Sequence, residues 1–222
     1  MATIVGIDEA GRGPVIGPIV ICGVLIDEKD NERLLNIGGK DSKLLSPLKR
    51  ERMIDGIQQI IKDFHCMVVQ PLEIDAAVES DTINLNWLEA MKSAEIINVL
   101  KPEIAIVDCP SPNTNAYASF LLERLNDKKT RIIAEHKADA NYPSVAAASI
   151  IAKVTRDAEI EKLKRHVGMD FGSGYPADER TVKFLKENWQ KHPELFRKSW
   201  APYKKLVEDN HPKQQSLSSF KK

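Results

Sequence analysis

Short hydrophobic runs rich in β-branched residues alternate along this chain with longer stretches whose apolar residues recur at helical spacing. The runs at 3–8 and Ile19–Asp27 are separated by a short turn rich in Gly and Pro, which predicts an antiparallel strand pair. Ile104–Asp108 is apolar up to its final aspartate, as expected for a strand buried on both faces. Two further strands are predicted at 65–70 and 131–134.

The longer stretches predict helices, and their ends carry capping signals. Ser46 can cap a helix that begins with Pro47, and Pro102 ends the helix that precedes it. Residues 31–43 are predicted to be a polar connection and residues 137–141 a loop. The predicted helices span 47–62, Pro71–Val78, 82–100, 113–126, 143–166 and 178–191, with a short helical end at 193–206.

The order of these elements predicts an α/β fold in which a mixed five-stranded sheet carries helices on both faces. The first three strands have short or simple links, whereas the last two are reached through helical crossovers. We predict a main domain at 1–166, a small C-terminal helical segment at 167–206, and a polar, disordered tail at 207–222.

Composition argues against several classes of protein. Lys and Arg together number 32, as do Asp and Glu, so nucleic acid would have to bind through a local basic face and metal ions. The chain has no apolar run of about 18 residues and no basic-then-apolar leader, so neither a membrane span nor a secretion signal is expected. Cys22, Cys66 and Cys109 lack metal-ligand spacing and are predicted to be reduced thiols, which indicates a cytoplasmic protein.

Four acidic residues stand where chemistry is expected. Asp8 and Glu9 follow the first strand, Asp108 ends the fourth strand, and Asp139 precedes a long helix. Neighbouring strand ends meet at one edge of an open sheet, which is the usual place for a ligand. Carboxylates brought that close repel one another unless cations lie between them, and oxygen ligands select Mg²⁺ or Mn²⁺ rather than zinc. Because adjacent strand residues point to opposite faces, Glu9 joins this group only if the regular strand has ended by that residue.

A series of motifs begins at the turn after the first two acids. Gly11-Arg12-Gly13 holds an arginine on flexible backbone beside them, which suits a phosphate next to a metal site. The motifs in chain order are GIDEAGRGP at 6–14, DSK at 41–43, KADANYP at 137–143, AASIIAKVTRD at 147–157 and GSGYP at 172–176. In this order they resemble the signature of type 2 ribonuclease H (ribonuclease HII) of the archaeal type, and the match runs from residue 4 to about residue 200.

This resemblance implies a ribonuclease H-like catalytic domain at 1–166, with the segment at 167–206 contributing to the substrate site. It implies hydrolysis of the RNA strand of RNA–DNA hybrids and incision on the 5′ side of single ribonucleotides in duplex DNA, leaving 3′-hydroxyl and 5′-phosphate ends. In the family an acidic quartet holds two divalent ions. The matching residues here are Asp8, Glu9, Asp108 and Asp139.

The resemblance also implies contacts with the substrate. The backbone of Gly11, Arg12 and Gly13 would approach the sugar-phosphate closely and bond the 2′-hydroxyl, while the Arg12 side chain would grip a phosphate. Tyr175 matches the tyrosine that stacks on the sugar following the ribonucleotide, and Lys43 is expected to contact phosphate.

The C-terminal tail carries a separate signal. Gln214, Leu217 and Phe220 fit the spacing glutamine-x-x-aliphatic-x-x-aromatic, which resembles the short peptide that docks on the sliding clamp of DNA replication. In one tight turn, Leu217 and Phe220 would enter an apolar pocket together, with Gln214 hydrogen-bonded at its rim. Lys221 stands where a second aromatic residue is usual, so a lowered affinity is expected.

Other functions remain compatible with the same fold. One is a nuclease of ribonuclease H fold that acts on DNA only, which the Gly-Arg-Gly turn and Tyr175 disfavour. Another is a non-catalytic nucleic-acid-binding subunit, which the loss of an acidic ligand would favour, although all four acids are present. A type 3 ribonuclease H would carry an extra N-terminal domain before the first strand. The protein is expected to act as a monomer, without a membrane partner.

Overall fold

A mixed five-stranded sheet forms the centre of the computed structural model, which describes residues 2–37 and 47–210. The strands are β1 (Thr3–Ala10), β2 (Ile19–Asp27), β3 (Asp63–Val69), β4 (Ile104–Asp108) and β5 (Arg131–Glu135). Their order across the sheet is β3-β2-β1-β4-β5, with β1 at the centre. β1 pairs antiparallel with β2 and parallel with β4, and β5 is parallel to β4. The carboxyl ends of β1, β4 and β5 therefore meet at one edge.

Helices cover both faces of this sheet, as predicted. The described helices are α1 (Asn31–Asn36), α2 (Pro47–Gln58), α3 (Pro71–Val78), α4 (Leu85–Leu100), α5 (Thr114–Arg124), α6 (Ala138–Asn141), α7 (Pro143–Val167), α8 (Glu179–Asn188) and α9 (Ala201–Asn210). Short 3₁₀ turns lie at Glu28–Asp30 and Pro193–Leu195. Within residues 2–37 and 47–210, no helix has the length and apolar character needed to cross a membrane.

Alternation along β1 divides the core into two layers. Val5 and Ile7 face the layer that contains α3, α4 and α5, whereas Ile4 faces the layer that contains α1, α2 and α7. α7 lies directly on the central strand, since a Cβ added to Gly6 would come within 2.3 Å of the Ser144 carbonyl carbon. A side chain at residue 6 would therefore push away the start of α7, and with it the short α6 that precedes it.

A third apolar cluster joins the C-terminal segment to the connection between β1 and β2. Val15 and Ile16 pack there with aromatic residues of the segment. The backbone continues this contact, because Ile16 forms a β-bridge with Phe196 and the Gly17 N–H donates to the Leu195 carbonyl at 2.9 Å. The C-terminal segment is thus attached to the stretch that follows the first strand.

Several predicted boundaries were wrong. Residues 31–36 belong to α1 rather than to a polar connection, because Leu34 turns inward and is buried. The predicted loop at 137–141 contains the short helix α6. β1 continues to Ala10, two residues further than predicted, because it stays paired with β2. Residues 207–210, assigned to a disordered tail, form the last part of α9.

The prediction of reduced thiols was wrong for two of the three cysteines. Cys22 and Cys66 lie opposite each other on β2 and β3 and form a disulfide, whereas Cys109 is a buried thiol. The pairing follows from the register of two strands, which a separation of 44 residues along the chain conceals.

Candidate active site

Three aspartates meet at the carboxyl edge of the sheet. Asp8 lies near the end of β1, Asp108 ends the neighbouring β4, and Asp139 lies in the first turn of α6. One carboxylate oxygen from each lies within 4.8 Å of those of the other two. The Ala138 N–H donates to Asp108 Oδ1 at 3.1 Å and so fastens α6 to the end of β4. We call these three aspartates the acidic centre.

The acidic centre concentrates negative charge in a buried place. The pKa of Asp8 is raised to about 6, chiefly by burial; a hydrogen bond with Ser149 opposes the rise, and the charge of Asp108 adds to it. A cation between the carboxylates would relieve this repulsion. Carboxylate oxygens are the hard ligands that Mg²⁺ and Mn²⁺ prefer, so the chemistry of the three side chains fits a divalent metal ion.

Glu9 occupies a different position from its neighbour. β1 stays regularly paired through Glu9 to Ala10, so the condition for Glu9 to share a face with Asp8 is not met. In the described part of the chain, the group of acids that could hold a metal does not include Glu9. Its carboxyl is still close to other acids, because burial raises its pKa and Asp8, Glu89 and Asp108 raise it further. A fourth metal ligand at Glu9 stays a prediction.

The turn formed by residues 11–13 leaves β1 beside the acidic centre. Gly11 has a φ of +86°, and a Cβ there would lie 2.2 Å from the Nε of Arg156, so a side chain at this residue would be strained and crowded. Arg12 extends to α4, where its Nε lies 3.0 and 3.2 Å from the carboxylate oxygens of Glu89. Its Nη2 donates to Asn86 Oδ1 at 2.5 Å. The side chain of Arg12 is 40% exposed, whereas that of Glu89 is only 4% exposed.

Tyr175 lies against the 11–13 turn. Its ring carbon Cε1 would be 3.5 Å from a Cβ at Gly13, and 40% of the residue is exposed. The guanidinium carbon of Arg156 lies 5.2 Å from the ring centre, and its Nη2 donates to the Ser173 carbonyl at 3.2 Å. Two stretches that are far apart in sequence therefore form one rim beside the acidic centre.

A groove of about 620 Å³ runs from this rim along α7. Gly11, Arg156 and Tyr175 line it at one side, and Lys153 lines it near the acidic centre. The Lys153 Nζ donates to Ser149 Oγ at 2.6 Å. This contact holds the positive charge of Lys153 close to Asp8, and that charge lowers the pKa of Asp8.

Sequence reasoning missed several of these supporting residues. Glu89 is a buried acid whose pKa is raised to about 7, chiefly by burial, while its partner Arg12 opposes the rise. It lies 77 residues from Arg12 in the chain, and nothing in its local pattern marks it. Ser149 and Lys153 were detectable, because they lie four residues apart on α7, a spacing at which helical side chains meet.

The remaining predicted binding residues lie outside the part of the chain that the structure describes. They are Lys43, Gln214, Leu217 and Phe220. Their assignments stay predictions.

Known proteins resemble this chain over nearly its whole length. The family model described as Ribonuclease HII matches residues 5–203. The Ribonuclease HII of Pyrococcus furiosus is 47% identical over 218 residues, covering 96% of this chain and 95% of the relative. The structure of ribonuclease H2 from Pyrococcus horikoshii OT3 has a TM-score of 0.83 and 46% identity, covering 93% of this chain and 98% of its own. The structure of the PCNA:RNase HII complex from Archaeoglobus fulgidus has a TM-score of 0.80 and 42% identity, covering 98% of this chain and 100% of the matched chain.

Proposed function

Because this chain belongs to the ribonuclease HII family and is a metal-dependent endoribonuclease, we propose that it cleaves RNA–DNA hybrids and incises DNA at single ribonucleotides. The hybrid would be cut in its RNA strand, and the duplex on the 5′ side of the ribonucleotide. One observation carries this proposal: a metal-competent acidic centre lies beside a glycine turn and an exposed tyrosine. The acidic centre suits hydrolysis of a phosphodiester, and the rim suits recognition of a 2′-hydroxyl.

The acidic residues would hold two Mg²⁺ or Mn²⁺ ions around the scissile phosphate. When bound, such ions supply Lewis-acid stabilisation on both sides of an in-line displacement, which leaves 3′-hydroxyl and 5′-phosphate ends. The protein's own contribution is to hold the carboxylates close together, and Ser149 and Lys153 favour the ionised form of Asp8 by opposing the rise in its pKa that burial causes. The proposed ligands are Asp8, Glu9, Asp108 and Asp139.

The rim would distinguish RNA from DNA. The backbone of the 11–13 turn would lie against the ribose and hydrogen-bond its 2′-hydroxyl, the group that DNA lacks. Tyr175 would stack on the sugar that follows, because its ring is partly exposed and lies next to Gly13. Arg12 exposes 40% of its side chain near the acids and would bind a phosphate, as would Lys43.

Cleavage of three defined duplexes tests this function. They are DNA with one embedded ribonucleotide, a continuous RNA–DNA hybrid, and DNA alone, each incubated with Mg²⁺ or with EDTA. We expect cleavage of the first two only when metal is present, and no cleavage of DNA alone. Comparable cleavage of all three would support a DNA nuclease instead, and binding without cleavage of any of them would support a non-catalytic subunit.

We also propose that the tail binds the replication sliding clamp through Gln214, Leu217 and Phe220. The spacing of these residues supports it, as does the existence of a relative whose structure was solved as a PCNA:RNase HII complex. Deleting residues 213–222 should leave cleavage unchanged and abolish retention on immobilised clamp. Phe220→Ala should weaken retention, whereas Ser219→Ala should not. Equal retention of the truncated and full-length chains would refute the docking role.

We further propose that the protein acts as a monomer in the cytoplasm. The Cys22–Cys66 disulfide removes the argument from reduced thiols, so this location rests on the proposed substrates, which would arise during replication. Light scattering should give a mass near the 24.9 kDa of one chain. Twice that mass at assay concentration would contradict the monomer.

A further inference from the structure

Arg197 is a fully buried arginine of the C-terminal segment that bonds to the start of the chain. It lies between the 3₁₀ turn Pro193–Leu195 and α9, with no exposed surface. Its Nη2 donates to the Gly11 carbonyl at 2.6 Å and its Nη1 to the Arg12 carbonyl at 3.0 Å. Its Nε donates to the Gly17 carbonyl at 2.9 Å. The guanidinium therefore links three carbonyls of the backbone segment that follows β1.

A buried guanidinium is unfavourable unless strong hydrogen bonds replace water. Burial, and then the nearby charge of Arg156, lowers the pKa of Arg197 to about 9. Its hydrogen bonds go to main-chain carbonyls, and two of these carbonyls belong to consecutive residues of the 11–13 turn. The planar fork of a guanidinium suits two such acceptors, whereas an ammonium is a single point of charge.

These bonds also set the direction of the donors in the turn. In a planar trans peptide the C=O and the N–H point in opposite directions, and the described residues contain no cis peptide. Because the carbonyls of Gly11 and Arg12 point at Arg197, the N–H groups of Arg12 and Gly13 point away from it. Gly13 lies against the Tyr175 ring, since a Cβ on this residue would come within 3.5 Å of the ring carbon Cε1.

A residue of the main domain fixes the backbone next to Arg197. Asp75 on α3 accepts hydrogen bonds from the Lys198 N–H at 2.8 Å, from the Ser199 N–H at 2.9 Å and from the Ser199 hydroxyl at 2.5 Å. The Trp200 ring centre lies 5.0 Å from the guanidinium carbon. The position of the guanidinium is therefore determined by packed elements of the fold.

We propose that Arg197 is a positioning residue that aims the N–H groups of Arg12 and Gly13 at the 2′-hydroxyl of the ribonucleotide. The inference rests on the proposed function, and it explains how a turn with two glycines keeps a single conformation. Without such support, glycine would let the turn sample several backbone conformations. Arg197 acts through the backbone: it does not contact the reacting atoms, and it affects cleavage by positioning the sugar.

Three substitutions in the full-length chain test this role. R197M removes all three side-chain hydrogen bonds to the main-chain carbonyls. R197K keeps the positive charge but can donate to fewer of these carbonyls. R124M is the control, because Arg124 also donates to a main-chain carbonyl, that of Phe120, at an exposed site. Single-turnover cleavage at one ribonucleotide should slow about 100-fold in R197M and about 10-fold in R197K, and R124M should match the wild type. Duplex binding, measured with Ca²⁺ in place of Mg²⁺, should change little.

A second substrate separates positioning from general damage to the fold. A 2′-fluoro nucleotide at the same place lacks the hydroxyl and accepts hydrogen bonds only weakly. The wild-type chain should cleave the ribonucleotide substrate much faster than the 2′-fluoro substrate. R197K should reduce the ratio of these two cleavage rates about 10-fold. General destabilisation would slow both substrates by the same factor. Equal slowing of both substrates, or wild-type rates in a folded R197M, would overturn the proposal.

S199A covers the case in which R197M does not fold. It removes one hydrogen bond to Asp75 and leaves Arg197 in place. Melting curves identify the folded variants, and S199A should narrow the sugar preference in the same direction, by about threefold. An unchanged preference in both R197K and S199A would overturn the proposal. If the wild-type chain fails to cut the single-ribonucleotide duplex, it is the proposed function that fails, before any variant is compared.

Discussion

The acidic centre and the 11–13 turn adjoin each other, yet they are stabilised in opposite ways. In the centre, like charges are buried together, and the pKa of Asp8 is raised to about 6. In the turn, unlike groups are matched: Arg12 pairs with Glu89, and the main-chain carbonyls accept from Arg197. The raised pKa of Asp8 shows that the nearby charge of Lys153 leaves the centre only partly balanced, which a metal ion would complete, whereas the hydrogen bonds of the turn are all made within the protein.

Under the proposed function, this difference would give the two regions separate tasks. Hydrolysis would depend on charge that is balanced when metal binds, and recognition of the sugar would depend on backbone that is already in place. Substitutions in the centre should change turnover with little effect on binding. Substitutions at the rim should change which sugar is accepted.

The largest effect is expected in the centre. Asp108→Asn removes one negative charge at the end of β4 and nearly preserves the shape of the side chain. Turnover should fall by about 1,000-fold, equivalent to about 4 kcal/mol of transition-state stabilisation, because a metal ligand is weakened. Duplex binding should stay close to that of the wild type, and Asp81→Asn, at an exposed position, serves as the control. Near-wild-type turnover in Mg²⁺ would remove Asp108 from the catalytic group.

A smaller effect is expected at the rim. Tyr175→Ala should slow cleavage at a single ribonucleotide about 10- to 100-fold, as expected for a lost stacking contact. Tyr175→Phe should slow it about fivefold, since only a hydroxyl group is lost. Phe64→Ala is a matched control, because that aromatic residue is 41% exposed on an edge strand away from the site. Unchanged rates in both tyrosine variants would exclude Tyr175 from recognition.

The last effect is on the stability of the protein in EDTA rather than on its activity. Because the pKa of Asp8 rises from 3.8 to about 6 on folding, its ionised form destabilises the fold above pH 6 and has no effect below about pH 4. Asp8→Asn should therefore raise the free energy of unfolding at pH 8 by up to roughly 3 kcal/mol, a gain of several degrees in Tm. The gain should vanish near pH 4. A lower Tm for the variant at pH 8 would contradict the repulsion inferred for the centre.

The sequence indicated the features that depend on local pattern. Asp8 and Asp108 could be singled out because each follows an apolar run that forms a central strand. Glu9 was harder, since its orientation depends on pairing with β2, which keeps the strand regular beyond it. Cys22 and Cys66 likewise meet only through strand register.

Residues that act across long separations could not be predicted in this way. Glu89 and Arg197 reach the turn from 77 and 186 residues away, and their neighbours in sequence do not mark them. Arg197 lies beside Lys198 in a short polar stretch and looks like an ordinary surface cation. Only the packing of the C-terminal segment on the turn shows that it is buried.

The contact between Arg197 and Gly11 also means that, during translation, the turn is supported later than the acidic centre is synthesised. At roughly 5–20 residues per second, the ribosome adds residue 197 about 10–40 s after residue 11. The aspartates of the acidic centre are all synthesised by residue 139, so they exist well before the turn gains its support. Proteolysis of stalled nascent chains should show protection of the turn only after residue 197 has emerged, and equal protection before that point would contradict this order. Under the two proposals, a prematurely terminated product would carry the proposed catalytic acids without the arginine that supports the turn.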